Sequence, residues 1–201
     1  MKAPKKRKVV IVGAGALGSH LILLARNWPV EVVVVDFDKV EAKNTQAQFH
    51  TTMGRGKNKA VAIQELMHGL FRQRLIAIPH CLQAGNAAAV LDEADLVIDC
   101  TDNYAARETI QNFCKKATPR FAHPCLHGCL SAAGDLARVI WTEHFTADKE
   151  GEEGQATCED GQNLWFHVMA AAVLAQAAQK FLETGEKHSF QLTPSALIRL
   201  S

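Results

Sequence analysis

VVIVGAGALGSH at residues 9–20 and VEVVVVDFD at residues 30–38 decide the fold. Val9 to Val12 place four β-branched residues in a row, the composition of a strand buried on both faces. Gly13, Gly15 and Gly18 come next as G-x-G-x-x-G, and a helical pattern opens behind them. In such a turn the first glycine permits a tight bend and the second lets backbone approach a phosphate. The third lets the helix pack closely on the strand. Asp36 closes the second apolar run eighteen residues after Gly18, where an acid reaches ribose hydroxyls. Strand, glycines, helix and acid in one βαβ unit predict a nucleotide site.

Outward from this unit the pattern keeps alternating. A first helix is predicted over 16–27, with Pro29 marking the return to strand, and residues 39–57 form a loop or short helix. A second helix is expected from Asn58 to Gly69, a third strand over Leu75–Ile78 and a short helix over Ala84–Leu91. DLVIDC at 95–100 reads as a fourth strand and Asn103–Ala117 as a helix. A fifth strand opens at Phe121–Ala122 and a sixth covers Asp135–Trp141. An exposed loop at 147–156, an alanine-rich helix over Gln162–Thr184 and a last strand over Phe190–Leu200 complete the reading. Strands alternating with helices predict an α/β fold: a Rossmann-like, doubly wound, mostly parallel sheet with helices on both faces. Ligands in such sheets gather beyond the carboxyl ends of the strands, where Gly13, Asp36 and Asp102 fall. No repeat or composition shift divides the chain, so a single domain over 1–201 is expected.

The bulk numbers narrow the class. Of 201 residues, 48% are apolar and 21% charged, and the net charge of +1 offers no field for nucleic acid or a membrane. No apolar run is long enough to span a bilayer and no secretory leader is read. Six scattered cysteines suit a reducing cytoplasm. PKKRKV at 4–9 has the look of a nuclear address. It runs straight into the first strand, and is read as a solvated strand entrance.

An NAD-dependent dehydrogenase would account for the first 36 residues equally well, but gives no reason for the polar motifs beyond Asp36. DFDKVEAKNTQAQ at 36–48, GRGKNK at 54–59 and DLVIDCTDN at 95–103, with the glycine turn, resemble the ubiquitin-activating superfamily. The likeness is to its ThiF/MoeB-type adenylating enzymes. That resemblance implies ATP and Mg²⁺. It also implies a reaction in which the C-terminal glycine carboxylate of a ubiquitin-like or sulfur-carrier protein attacks the α-phosphorus. By the same resemblance Asp36 and Asp38 lie at the nucleotide, with Asp36 on the ribose, and Asn44 and Gln48 orient the phosphates. Lys59 meets the developing charge, Asp102 holds Mg²⁺, and Asn103 stands beside it, where it also suits a helix cap. Cys158 in TCEDG at 157–161 resembles the family segment whose cysteine receives the activated carboxyl group as a thioester or takes part in sulfur transfer. Relatives are dimers, so a homodimer or heteromer is expected.

Departures from the family pattern shape the expectations further. Ala47 stands where the family has an arginine before Gln48, and the sequence opens at the first strand, where relatives carry helices bearing another arginine. Lost guanidinium groups weaken a phosphate grip. Arg55 and Arg107 are the candidates to replace them, or a partner chain supplies one. The rival expectation is a degenerate scaffold that binds nucleotide or carrier beside an active subunit. The family's paired C-x-x-C zinc ligands are missing, so no zinc is expected. His123 and His127 lack a second ligand cluster.

Overall fold

In the computed structural model, which describes residues 6–116, 123–131, 133–146, 161 and 163–200, the first apolar run is the middle of the sheet. β1 (Lys8–Val12) lies between β2 (Glu31–Val35) and β4 (Leu96–Asp99), parallel to both, and β3 (Ile76–Ile78) pairs parallel to the outer side of β2. Side chains alternate across a strand, and the two faces sort accordingly. Val9, Ile11, Val32, Val34, Leu96 and Ile98 face one layer of helices: α1 (Ala16–Leu24), α3 (Lys59–Phe71) and α6 (Leu164–Thr184). Val10, Val12, Val33, Val35 and Val97 face α4 (Ala87–Leu91) and α5 (Tyr104–Lys116) on the other. That two-sided burial is why these strands read as unbroken apolar runs.

β5 (Cys125–Leu130) extends the parallel set beside β4, and β6 (Ala137–Trp141) turns back antiparallel to it. The residues between them are too few for a crossover helix, so only antiparallel return is open. With β7 (Ser189–Thr193) and β8 (Ala196–Leu200), the sheet has eight strands among the described residues, in the order β3-β2-β1-β4-β5-β6-β7-β8. The expected fifth-strand opening at Phe121–Ala122 lies outside the described residues. One expectation is corrected. The last strand is a hairpin of β7 (Ser189–Thr193) and β8 (Ala196–Leu200), turning at Pro194 and Ser195. Pro194 has no N–H and cannot continue a ladder, but apolar residues on both sides of it masked the break.

The order places β1 and β4 side by side with their crossovers on opposite faces. The crevice past their carboxyl ends is therefore the switch point of the sheet. The loop after β1, the loop after β2 and the loop after β4 meet there.

Candidate functional site

Gly13 takes a left-handed φ of +94°, and a Cβ there would lie 2.8 Å from the carbonyl oxygen of Cys100. At Gly18 a Cβ would lie 1.9 Å from the carbonyl oxygen of Gly13, so α1 rests on the turn itself. Gly15 differs: the nearest atom to its missing Cβ is Gln48 Nε2, at 4.0 Å. It caps α1 without a side chain over the helix end. The first amides of α1 are left to point at whatever occupies the crevice.

Asp36 holds the turn from the β2 side. Its Oδ2 accepts from the Ala14 amide at 2.6 Å and its Oδ1 from the Asp38 amide at 2.8 Å. Each oxygen keeps acceptor capacity for a further donor. Burial pushes the carboxyl above its ordinary 3.8, aided by the charge of Asp38 and opposed by the Ala14 amide, the Lys59 charge and the Asp38 amide. At the other end of the same residue, His50 Nε2–H donates to the Ala14 carbonyl at 2.8 Å, the tautomer following from that acceptor. Burial, together with the charges of Lys59 and His20, keeps His50 below its ordinary 6.5 against the pull of that hydrogen bond.

Lys59 opens α3. Asn58 caps the helix, its Oδ1 accepting from the Ala60 and Val61 amides, while its Nδ2 donates to the carbonyls of Asp36 and Asp38. The cap thus ties the start of α3 to the end of β2. Lys59 is only 8% exposed and its Nζ donates to Asp38 Oδ2 at 3.0 Å. The sequence alone leaves Lys59 equally well placed on a solvated helix face; the tie between Asn58 and β2 is what buries it.

Asn44 begins α2 (Asn44–Ala47), where its Oδ1 accepts from the Glu41 amide at 2.8 Å. The segment after it is fastened to α1: Ser19 Oγ accepts from the Phe49 amide, and His20 Nε2–H reaches the Ala47 carbonyl. Gln48 is thereby held against Gly15, with its Oε1 buried and without a partner among the described residues. Gly161, which closes the TCEDG segment, packs on Gln46, with 3.0 Å from its Cβ position to the Gln46 carbonyl. Cys158 itself lies outside the described residues.

Asp102 is exposed in the loop after β4 and takes no hydrogen bond from any described residue. Asn103 beside it caps α5, its Oδ1 accepting from the Ala106 amide at 2.8 Å. Arg107, one turn on, donates from Nε and Nη2 to the Thr101 carbonyl at 3.0 and 2.6 Å. Arg55 is exposed in the loop before α3. The structure therefore gathers Gly13, Gly15, Asp36, Asp38, Lys59 and Gln48 about the glycine turn, and it sets the Cys100–Asn103 loop against Gly13. His123, considered for metal, instead stands 3.7 Å from Asp92. Sequence reasoning passed over Ser19, His20 and His50, which anchor the site from behind. A lone polar residue in an apolar pattern gives no sign of the carbonyl it faces.

The comparisons fit this geometry. The ThiF family matches residues 1–193. "Adenylyltransferase and sulfurtransferase MOCS3" of Anopheles gambiae is 37% identical over 113 residues, covering 55% of this chain and 26% of that protein. "Sulfur carrier protein adenylyltransferase" of Thermus thermophilus is 35% identical over 111 residues, 54% of this chain and 41% of the relative. These matches span well under half the length of those relatives. Among solved structures, E. coli MccB with ATP superposes with a TM-score of 0.74 at 19% identity, covering 98% of this chain and 63% of that one. That likeness speaks for the fold alone. No described helix is long and apolar enough to cross a membrane.

Proposed function

The chain belongs to the ThiF family, and we propose that it uses ATP to adenylate the C-terminal carboxylate of a ubiquitin-like or sulfur-carrier protein. A carboxylate oxygen attacks the α-phosphorus, the bond to the bridging oxygen breaks, and acyl-adenylate and pyrophosphate result. Little proton transfer is needed, so positioning and charge neutralisation carry the rate.

One observation carries the reading: the Lys59 ammonium is buried beside the glycine turn, next to Asp38 and near Asp36. Lysine is rarely buried without cause, and here the ammonium stands where charge on a nucleotide phosphate would need an opposing cation. Lys59 serves the charge that develops on the phosphates, Asp36 the ribose, and Asn44 and Gln48 the phosphate oxygens. Gly13 and Gly18 shape the turn, while Gly15 leaves room for phosphate. Asp38 holds the lysine, and Arg55 supplies a guanidinium at the mouth. The residues fit magnesium–ATP: an exposed acid, free helix amides and the Gln48 Nε2 donor facing Gly15 are the groups such a ligand takes. Among the described residues no three His, Cys, Asp or Glu side chains gather to hold a metal alone. Magnesium, however, ordinarily binds through one or two carboxylates plus phosphate. Asp102, next to Asn103, is the residue to hold it, and the ion would neutralise phosphate charge. Cys158 then takes the acyl group: its thiolate attacks the adenylate carbonyl, giving a thioester and AMP. We assign the enzyme to the cytoplasm as a homodimer or heteromer.

Ala47, in place of the family's arginine, favours a second reading: a scaffold that binds nucleotide or carrier without turnover. The buried Lys59 and the open Asp102 weigh against it. ATP–pyrophosphate exchange with candidate carriers tests both. Exchange should vanish in Lys59→Ala and Asp102→Ala and persist in Cys158→Ala. Exchange unaffected by Asp102→Ala rejects the site, and ATP binding without exchange for any carrier supports the scaffold.

A further inference from the structure

Below the crevice lies a polar cluster that the proposed reaction leaves unused. Asp99, at the end of β4, and His127, in β5, are both fully buried, and Thr142 behind them is 7% exposed. His127 Nδ1–H donates to Asp99 Oδ2 at 2.8 Å, and its Nε2 pairs with Thr142 Oγ1 at 2.7 Å. The ring stacks on Phe145 with centroids 3.8 Å apart. An acid, an imidazole and a hydroxyl in line have the geometry of a nucleophilic triad. Burial forbids that use, since no substrate reaches the hydroxyl.

The other oxygen of Asp99 shows what the cluster does. Oδ1 accepts from the Thr101 amide at 2.9 Å and from Thr101 Oγ1–H at 2.7 Å. Arg107 holds the Thr101 carbonyl with two further bonds. Thr101 is thus fixed at its amide, hydroxyl and carbonyl, and the next residue is Asp102. We propose that His127 is a positioning residue for Asp102: through Asp99 it fixes Thr101, and with it the direction in which the adjoining carboxylate faces the crevice. This rests on the assignment of Asp102 to magnesium–ATP above. Burial pushes the Asp99 carboxyl up, but the hydrogen bond and charge of His127, the charge of Arg107 and the Thr101 amide outweigh it and hold it below 3.8. The acid therefore stays an acceptor for Thr101 at neutral pH. Residues behind a metal ligand commonly tune affinity by about 10–100-fold.

The test compares wild type with His127→Leu, His127→Asn and Val139→Ala. Val139, buried in β6, supplies a core cut outside the cluster. Two quantities are read: hydrogen exchange of the Thr101 amide in ligand-free protein, and the Mg²⁺ concentration giving half-maximal ATP–pyrophosphate exchange. In His127→Leu the amide should exchange at least about tenfold faster, and the Mg²⁺ requirement should rise by about 10–100-fold. His127→Asn, whose amide can donate from near the Nδ1 position, should recover most of both. Val139→Ala should lose stability and change neither. Wild-type Thr101 protection and Mg²⁺ requirement in His127→Leu overturn the proposal. If that variant does not fold, His127→Phe, which keeps a ring against Phe145 but has no donor for Asp99, decides by the same two readings, with no change again overturning it. A wild-type protein without any pyrophosphate exchange would refute the adenylation reading, while Thr101 protection would still decide whether His127 braces the loop.

Discussion

Two glycines of one motif should fail in opposite ways. Gly18→Ala puts a methyl 1.9 Å from the Gly13 carbonyl oxygen, about 1.5 Å short of ordinary contact, with Gly13 C at 2.9 Å and Cys100 Cβ at 3.3 Å. The nearest obstacles are backbone, so no rotamer relieves them and α1 must lift from the turn. Overpacking of this kind costs about 3 kcal/mol, which for a chain of this size lowers Tm by about 6–12 °C. Gly15→Ala meets nothing nearer than Gln48 Nε2 at 4.0 Å. Losing glycine's freedom in the unfolded chain offsets the weaker cap, leaving stability within about 1 kcal/mol. Its methyl, however, occupies the approach to the first amides of α1. ATP affinity should fall by about tenfold or more, which is about 1.4 kcal/mol. Thermal unfolding and calorimetric ATP titration on both variants separate the effects. Wild-type Tm in Gly18→Ala, or wild-type ATP affinity in Gly15→Ala, would refute this account of the turn.

Lys59→Met keeps the stem buried and removes the charge; pyrophosphate exchange should drop by about 10²–10³-fold, with ATP affinity much less affected, as single-turnover and binding measurements would show. His20 and His50 are both held below their ordinary 6.5 chiefly by burial. Their neutral forms therefore favour the fold, with a contribution complete above pH 6.5 and lost as pH falls through the lowered values. Urea midpoints from pH 7.5 down to 5 should decline, and His20→Phe with His50→Gln should flatten that slope. Asp99 also has a lowered pKa, so its contribution is complete above about pH 4 and lost below 3.8. Asp99→Asn should destabilise the protein near neutrality and narrow its gap from wild type in more acid urea titrations.

The sheet was legible because its central strands are buried on both faces, and nothing but β-branched and aliphatic residues fits there. The glycine turn was equally legible, since Gly13 and Gly18 are demanded by backbone contacts that allow no side chain. The hairpin of β7 and β8 was not, because Leu192 is buried whereas Leu197 and Ile198 are exposed, and a count of apolar residues cannot separate them. Asp36 could be named from its spacing and Lys59 from the family resemblance, but not the burial that surrounds them. That burial depends on Asn58 bonding the carbonyls of residues twenty or more positions earlier. The Asp99–His127 pair left no mark in either period, because its partners come from separate strands and meet only in the pleated sheet.

The three strand ends do not act independently. The Gly13 amide donates to the Val35 carbonyl and the Cys100 amide to the Val12 carbonyl, both at 2.8 Å. The ladder thus continues from β2 through β1 to β4 beyond the last paired side chains. Asp36, the glycine turn and the loop of Asp102 therefore share one backbone frame. Gly13 is where that frame is tightest, since a Cβ there would strike the carbonyl of Cys100. Its glycine is required twice, for φ and for this contact. A shift of the Thr101 peptide must consequently move Cys100 against Gly13, and the glycine turn moves with it. Braces placed on one loop, such as His127 behind Asp99 or His50 behind Ala14, thereby stiffen the whole crevice.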